Sequence, residues 1–342
     1  MKPQRGRTRS IPVQPLRVAI AVAVVIAMSL VPGIAQAADV AITPGTTWRD
    51  TSGNPIQAHG GGIIKVGSTY YWFGEDKVGH VKGNTPFRNV PCYSSTDLAR
   101  WKFEANVLTR QSSGDLSASR IVERPKVIYN KSTRLYVMYM HSDDNPHTIT
   151  RVGVATSPTV CGKYTYRGSF KPLGNISLDI GLFVDDDNAG YLLSDTRTEG
   201  LRIYRLSADY LRVVSTVMVF PRLESPAIFK QNGRYYLLTS HTTGWNTNDN
   251  VYSTATSLSG PWSTWKLFAP MGSKTHNSQT TFVLPVQGST GTTYMFMGDR
   301  WNPSSLGTST YIWLPLTVSG TSVSLAWHGR WFIDTATGRW HT

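Results

Sequence analysis

The sequence predicts an all-β fold, a five-bladed β-propeller. Three observations point to it: abundant turn-forming and aromatic residues, one hairpin signature that recurs five times, and a polar residue at a fixed offset from each recurrence. The 342 residues include 30 Gly, 19 Pro, 16 Tyr and 11 Trp, a mix that favours short strands and tight turns over helical bundles. With 40% apolar and 16% charged residues the chain can bury a sizeable core, which excludes a disordered segment or a multi-pass membrane protein.

The first element stands apart from that core. Residues 1–37 carry Lys2, Arg5, Arg7, Arg9 and Arg17 without an acid, then an apolar run from Val18 to Val31, then the small-residue pattern Ala35-Gln36-Ala37. This is the pattern of a secretory signal peptide, with an apolar run too short for a bilayer-spanning anchor. The expected mature protein is a single propeller domain over 38–342, secreted, monomeric and without a membrane anchor. Removing the five basic residues of the leader takes the net charge from +13 to +8. The basic residues left are scattered, and no nucleic-acid partner is expected. The two cysteines, Cys92 and Cys161, either bridge in an oxidising compartment or remain two buried thiols.

Five segments then match one another. Each runs from a short apolar strand through a turn rich in Gly, Asn, Asp or Ser to an aromatic strand: Gly62 to Phe73, Lys126 to Tyr139, Leu182 to Leu193, Ala227 to Leu238 and Phe282 to Phe296, anchored at Ile63, Val127, Phe183, Ile228 and Val283. A third strand follows most hairpins, as at Tyr93-Ser94-Ser95, and a weaker fourth lies near Trp101 and Trp265. The repeats start 64, 56, 45 and 55 residues apart, which fits radial repetition of four-stranded blades better than a two-sheet sandwich.

In a propeller the first strand of every blade lies on the central channel, so residues just before these strands converge on one mouth. Four positions before the five anchors stand His59, Glu123, Asp179, Glu224 and Gln279. The antiparallel second strands return Glu75, His141, Asp195, Ser240 and Asp299 to the same end. Carboxylates sharing a small mouth raise one another's pKa, so one can stay protonated as a general acid while another stays ionised, the division of labour that glycoside hydrolysis requires. Trp72, Trp245 and Trp301 lie near the same loops, where an indole serves either as core or as a platform for a sugar face; the polar loop Gly244-Trp245-Asn246-Thr247-Asn248 favours the platform for Trp245. Asp185-Asp186-Asp187-Asn188 has the look of a calcium loop but falls where a hairpin turn is needed, and no metal or other cofactor is expected.

The strings Gln57-Ala58-His59-Gly60-Gly61-Gly62, Tyr70-Tyr71-Trp72-Phe73-Gly74-Glu75, Glu123-Arg124-Pro125-Lys126-Val127, Asp179-Ile180-Gly181-Leu182-Phe183, Glu224-Ser225-Pro226-Ala227-Ile228 and Ser278-Gln279-Thr280-Thr281 resemble glycoside hydrolase family 43, specifically its exo-β-1,3-galactanase branch. The resemblance spans nearly all of 38–342. It implies Glu224 as general acid, Asp179 as the group that tunes and orients it, and Glu123 and Glu75 as ligands for hydroxyls of the terminal galactose. Most of the family places an aspartate base in the first blade, where this chain has His59. The galactanase branch shares that absence, and a glutamine matching Gln279 is implied to hold the attacking water, with Glu123 as the alternative base. Tyr71, His59, Trp245, Asn246, Asp299 and Trp301 complete the candidate substrate-binding set.

The implied activity is removal of galactose from the non-reducing end of β-1,3-galactan, the backbone of arabinogalactan, with inversion. A family 43 arabinofuranosidase or xylosidase and a non-catalytic galactan-binding propeller are the alternatives.

Overall fold

A computed structural model describes residues 1, 3, 4, 6 and 40–342. The chain divides into two units, Met1–Gln36 and Ala37–Thr342. Apart from four positions, the leader expected over 1–37 lies outside the described residues, and every described strand belongs to the second unit.

Its strands, after β1 (Val40–Ile42), come in sequential groups of four. The first sheet is β2 (His59–Val66), β3 (Thr69–Glu75), β4 (Asn89–Ser95) and β5 (Lys102–Thr109). The second is β6 (Arg120–Asn130), β7 (Leu135–Asp144), β8 (Arg151–Ser157) and β9 (Thr165–Phe170). The third is β10 (Ile180–Val184), β11 (Gly190–Asp195), β12 (Leu201–Leu206) and β13 (Val213–Val219). The fourth is β14 (Glu224–Gln231), β15 (Arg234–Ser240), β16 (Val251–Ala255) and β17 (Lys266–Leu267), and the fifth β18 (Gln279–Gln287), β19 (Thr292–Arg300), β20 (Thr310–Ser319) and β21 (Ser322–Leu325).

Neighbours in each sheet are antiparallel, and the expected hairpins are the inner two strands, with Ile63 opposite Trp72, Val127 opposite Met138 and Ile228 opposite Leu237. Their turns close on residues of positive φ, Gly67 (60°), Asn188 (63°) and Gly233 (74°), where glycine or asparagine costs least. The inner strands β2, β6, β10, β14 and β18 pack side by side around the channel, and β18 returns to β2.

The expectation of five blades is corrected by a sixth sheet. β1, β22 (Trp331–Asp334) and β23 (Arg339–His341) form a three-stranded sheet in the order β1-β22-β23. Its pairing joins the start of the domain to its end, Ile42 opposite Trp331, a long-range match that no local hairpin signature reveals. This sheet lies between the first and fifth: Trp331 Nε1 donates to Trp313 O, Thr335 Oγ1 to Thr96 O and Thr293 Oγ1 to Gly338 O. Trp72, Trp101, Trp313 and Trp331 are all buried in the same cluster, so that sheet closes the largest apolar core. A Cys92–Cys161 disulfide links β4 to the loop after β8, tying the first sheet to the second.

Candidate active site

The two sets of aligned positions meet as paired residues. His59 faces Glu75, Glu123 faces His141, Glu224 faces Ser240 and Gln279 faces Asp299, while the Asp195 N–H donates to Asp179 O. In three sheets the inner strand bulges immediately afterwards, on left-handed residues Gly60 (φ 60°), Arg124 (φ 52°) and Ser225 (φ 55°). A bulge re-aims the side chains beside it, and here it does so at the same level of the channel each time. Glycine is required in the first sheet: a Cβ at Gly60 would overlap Glu75 Oε1, and one at Gly61 would overlap Phe73 O.

These turns open a pocket whose wall includes Glu75, Glu123, Asp179, Asp195, Glu224 and Gln279. Burial, reinforced by Asp179, pushes Glu224 up to about 8, so it carries a proton at neutral pH. Asp179 is fixed as a carboxylate ligand, with Oδ1 2.7 Å from Arg124 Nε and Oδ2 accepting from Ser225 Oγ at 2.6 Å. Asp195, also buried, is raised to about 7 by burial despite the Arg197 N–H that it accepts. Gln279 is saturated: Oε1 accepts from Arg124 Nη2 (2.7 Å) and Trp301 Nε1 (2.9 Å), and Nε2 donates to Glu224 Oε1 (3.0 Å) and Ser240 Oγ (3.2 Å). It therefore grips the acid and has no lone pair free for a proton.

The opposite carboxylates are built around a buried amine. Lys77 Nζ lies 2.5 Å from Glu75 Oε2 and 2.8 Å from Glu123 Oε1. Burial works against the ammonium, but Glu123 and Glu75 together hold it above the ordinary lysine range. Burial also disfavours an ionised Glu123, yet Lys77 and His141 hold its carboxyl well below the usual range, while burial leaves Glu75 raised. His141 sits between Asp143 Oδ2 (2.9 Å) and Glu123 Oε2 (3.4 Å), and these partners overcome burial to raise the ring to about 9. The pocket thus pairs a protonated acid at Glu224 with an ionised carboxylate at Glu123.

The profile of the glycosyl hydrolases family 43 matches residues 53–296. The chain belongs to glycosyl hydrolases family 43. Among solved structures it is similar to an exo-β-1,3-galactanase from Phanerochaete chrysosporium bound to galactose, at 44% identity over 88% of this chain and 70% of that one, TM-score 0.84. A variant of that enzyme with β-1,3-galactotriose matches at 44% over the same shares, TM-score 0.83. An exo-β-1,3-galactanase from Clostridium thermocellum is 39% identical over 88% of this chain and 68% of that one, TM-score 0.82. A comparison with curated proteins finds no match.

The remaining candidates fall on both sides of the glycosidase pocket wall. Trp245 and Trp301 line it and meet edge to face, centroids 5.1 Å apart, with Lys77 Nζ 5.4 Å from the Trp245 ring. His59 is fully buried behind it, its Nδ1 3.0 Å from Asp299 Oδ1 and its ring stacked on Tyr311. Asp299 is buried too, its Oδ2 accepting from the Gly60 N–H and Thr281 Oγ1, so both residues brace the bulge rather than face a sugar. Tyr71 packs beside the core of the first and second sheets, away from the mouth, and Trp72 is core. Asn246 is exposed on the loop that carries Trp245, its carbonyl bonded by Thr243 Oγ1.

The acidic turn at Asp185 is neutralised by Lys230, whose Nζ lies 2.6 Å from Asp185 Oδ1 and 2.8 Å from Asp186 Oδ2. Among the described residues, one group brings three potential metal-ligand atoms within 4.8 Å, namely His141, Asp143 and His147. Lys77 and Arg124 are site residues that the sequence-derived candidates lack, and Asp195, which stands in the ring of aligned positions, is absent only from the named catalytic and binding set. Asp195 occupies an aligned second-strand position and Arg124 follows the Glu123 position, so both were within reach of the repeat. Lys77, two residues beyond Glu75, carries the alternation of that strand one step past its end.

Proposed function

We propose that this family 43 glycosidase is an exo-acting β-1,3-galactanase, releasing galactose from the non-reducing end of β-1,3-galactan with inversion at the anomeric carbon. The carrying observation is a single pocket lined by both Glu224 and Glu123, the first gripped by Gln279 Nε2 and pushed up by burial and Asp179, the second held down by Lys77 and His141. Glu224 donates its proton to the glycosidic oxygen as the bond to the anomeric carbon breaks. Asp179, held by Arg124 and Ser225, raises the acid's pKa, and Gln279 Nε2 fixes its Oε1.

Water attacks from the other face, and its proton passes to Glu123. That carboxylate is a weak base, but the transition state is oxocarbenium-like, so the water becomes strongly acidic as the new bond forms and a weak base suffices. Gln279 positions and does not deprotonate, because both its polar atoms are engaged.

Arg124 lines the pocket beside Asp179 and Gln279, and buried Lys126 donates from Nζ to Gly60 O at 3.0 Å, which holds the first-sheet bulge in place. The basic, apolar leader supports export to the extracellular space, and we read the working unit as a monomer.

Digestion of β-1,3-galactan resolved by chromatography tests this reading. Free galactose should appear from the first time point with wild type and vanish with Glu224→Gln. Internal fragments ahead of galactose, or pentose release from arabinan or xylan instead, would overturn it.

A further inference from the structure

We propose that His147 is a substrate-binding residue, a rigid arm whose Nε2 hydrogen-bonds one hydroxyl of the terminal sugar; the inference rests on the galactan reading above. His147 lines the pocket together with Glu123, Asp195 and Glu224, and 34% of its side chain remains open. Its Nδ1 lies 3.2 Å from Oδ2 of Asp143, a fully buried carboxylate. Nδ1 must donate to that carboxylate, which fixes the tautomer and leaves Nε2 as the atom available to a ligand. No hydrogen bond engages Nε2 among the described residues.

The backbone is shaped to hold the ring there. Asp143 Oδ1 accepts from the N–H groups of Asp144 (2.9 Å), Ile149 (3.0 Å) and Thr150 (2.9 Å), and Asp144 accepts from the N–H and hydroxyl of Thr148 at 2.7 and 2.6 Å. His147 itself adopts φ 56°, a left-handed conformation that residues with side chains rarely take and that clusters at ligand sites. A turn needing only closure would be satisfied by the Oδ1 bonds; the other oxygen of Asp143 is given to two imidazoles.

The His147 ring lies face to face with His141, centroids 6.0 Å apart at 9°, and His141 reaches Glu123. The arm is thereby tied to a carboxylate of the pocket. The same three residues are a poor cation site at neutral pH, because His141 already bridges Asp143 and Glu123 as an imidazolium that a metal would have to deprotonate.

The test uses β-1,3-galactobiose and its monodeoxy analogues, each lacking one hydroxyl of the non-reducing ring, with wild type, His147→Ala and the conservative His147→Gln, folding checked by circular dichroism. We expect His147→Ala to raise KM about tenfold or more with a smaller change in kcat, and His147→Gln to restore part of the loss. One deoxy analogue should be penalised with wild type and not further penalised with His147→Ala, the signature of a direct contact. Equal penalties for every analogue in both proteins, or an unchanged KM, would overturn the assignment. Wild type inert on the unmodified disaccharide would instead overturn the galactan reading, and this assignment with it.

Discussion

Lys77→Met removes the buried cation while keeping a side chain of similar length. Nζ lies 2.8 Å from Glu123 Oε1 and 2.5 Å from Glu75 Oε2. At an effective dielectric of about 20, unit charges this close attract by about 6 kcal/mol, equivalent to about 4 pKa units. His141 stays on Glu123 in the variant, and Glu75, once protonated, no longer repels it, so about half of that shift should reach the base. Without Lys77, Glu75 and Glu123 become two buried acids that cannot both remain ionised, and one takes up a proton.

The assay is the pH dependence of kcat/KM on β-1,3-galactobiose, in which activity is lost on the acid side as the base protonates. In wild type that loss should lie below the usual carboxylate range, because Glu123 is held down. In Lys77→Met it should move up by about 2 units, with activity at neutral pH impaired less than at pH 5. An acid limb that stays in place in a folded variant would refute the assignment of Glu123 and of Lys77 as the residue that keeps it ionised.

Three further outcomes follow from the same geometry. Activity should fall as pH rises through about 8, where Glu224 loses its proton, and Asp179→Asn should move that limb downward because it removes a negative neighbour; a limb indifferent to Asp179 would contradict the coupling. Gly60→Ala places a methyl group on Glu75 Oε1 at a left-handed position, and should reduce kcat/KM by about 10–100-fold with only modest loss of melting temperature. Replacing both Cys92 and Cys161 with Ala opens a loop of 69 residues and should lower unfolding free energy by about 4 kcal/mol in urea titrations, without changing KM.

The hairpin repeat carried most of what the sequence could disclose. Constant offset from Ile63, Val127, Phe183, Ile228 and Val283 located both polar rings, because strand register transmits sequence spacing faithfully along a short hairpin. What it could not convey was direction. His59 and Glu123 share an offset, yet the bulge at Gly60 leaves His59 buried on Asp299 while that at Arg124 leaves Glu123 in the pocket.

Pairings between distant segments were equally hidden. The sixth sheet arises from Val40–Ile42 meeting Trp331–Asp334, and Lys77 acquires its role only because Glu75 and Glu123, from different sheets, converge on it. Trp72 illustrates the remaining ambiguity: an aromatic beside a ring position reads equally as sugar platform or core, and packing against Trp101 and Trp313 decides for core.

The most direct measurement is proton NMR of the first galactose released from β-1,3-galactan by wild type and by Glu224→Gln. Water attacking opposite a protonated Glu224 should give α-galactose first, mutarotating later, and no release by the variant. β-Galactose at the earliest time points, or undiminished release by Glu224→Gln, would contradict the roles assigned to Glu224 and Glu123.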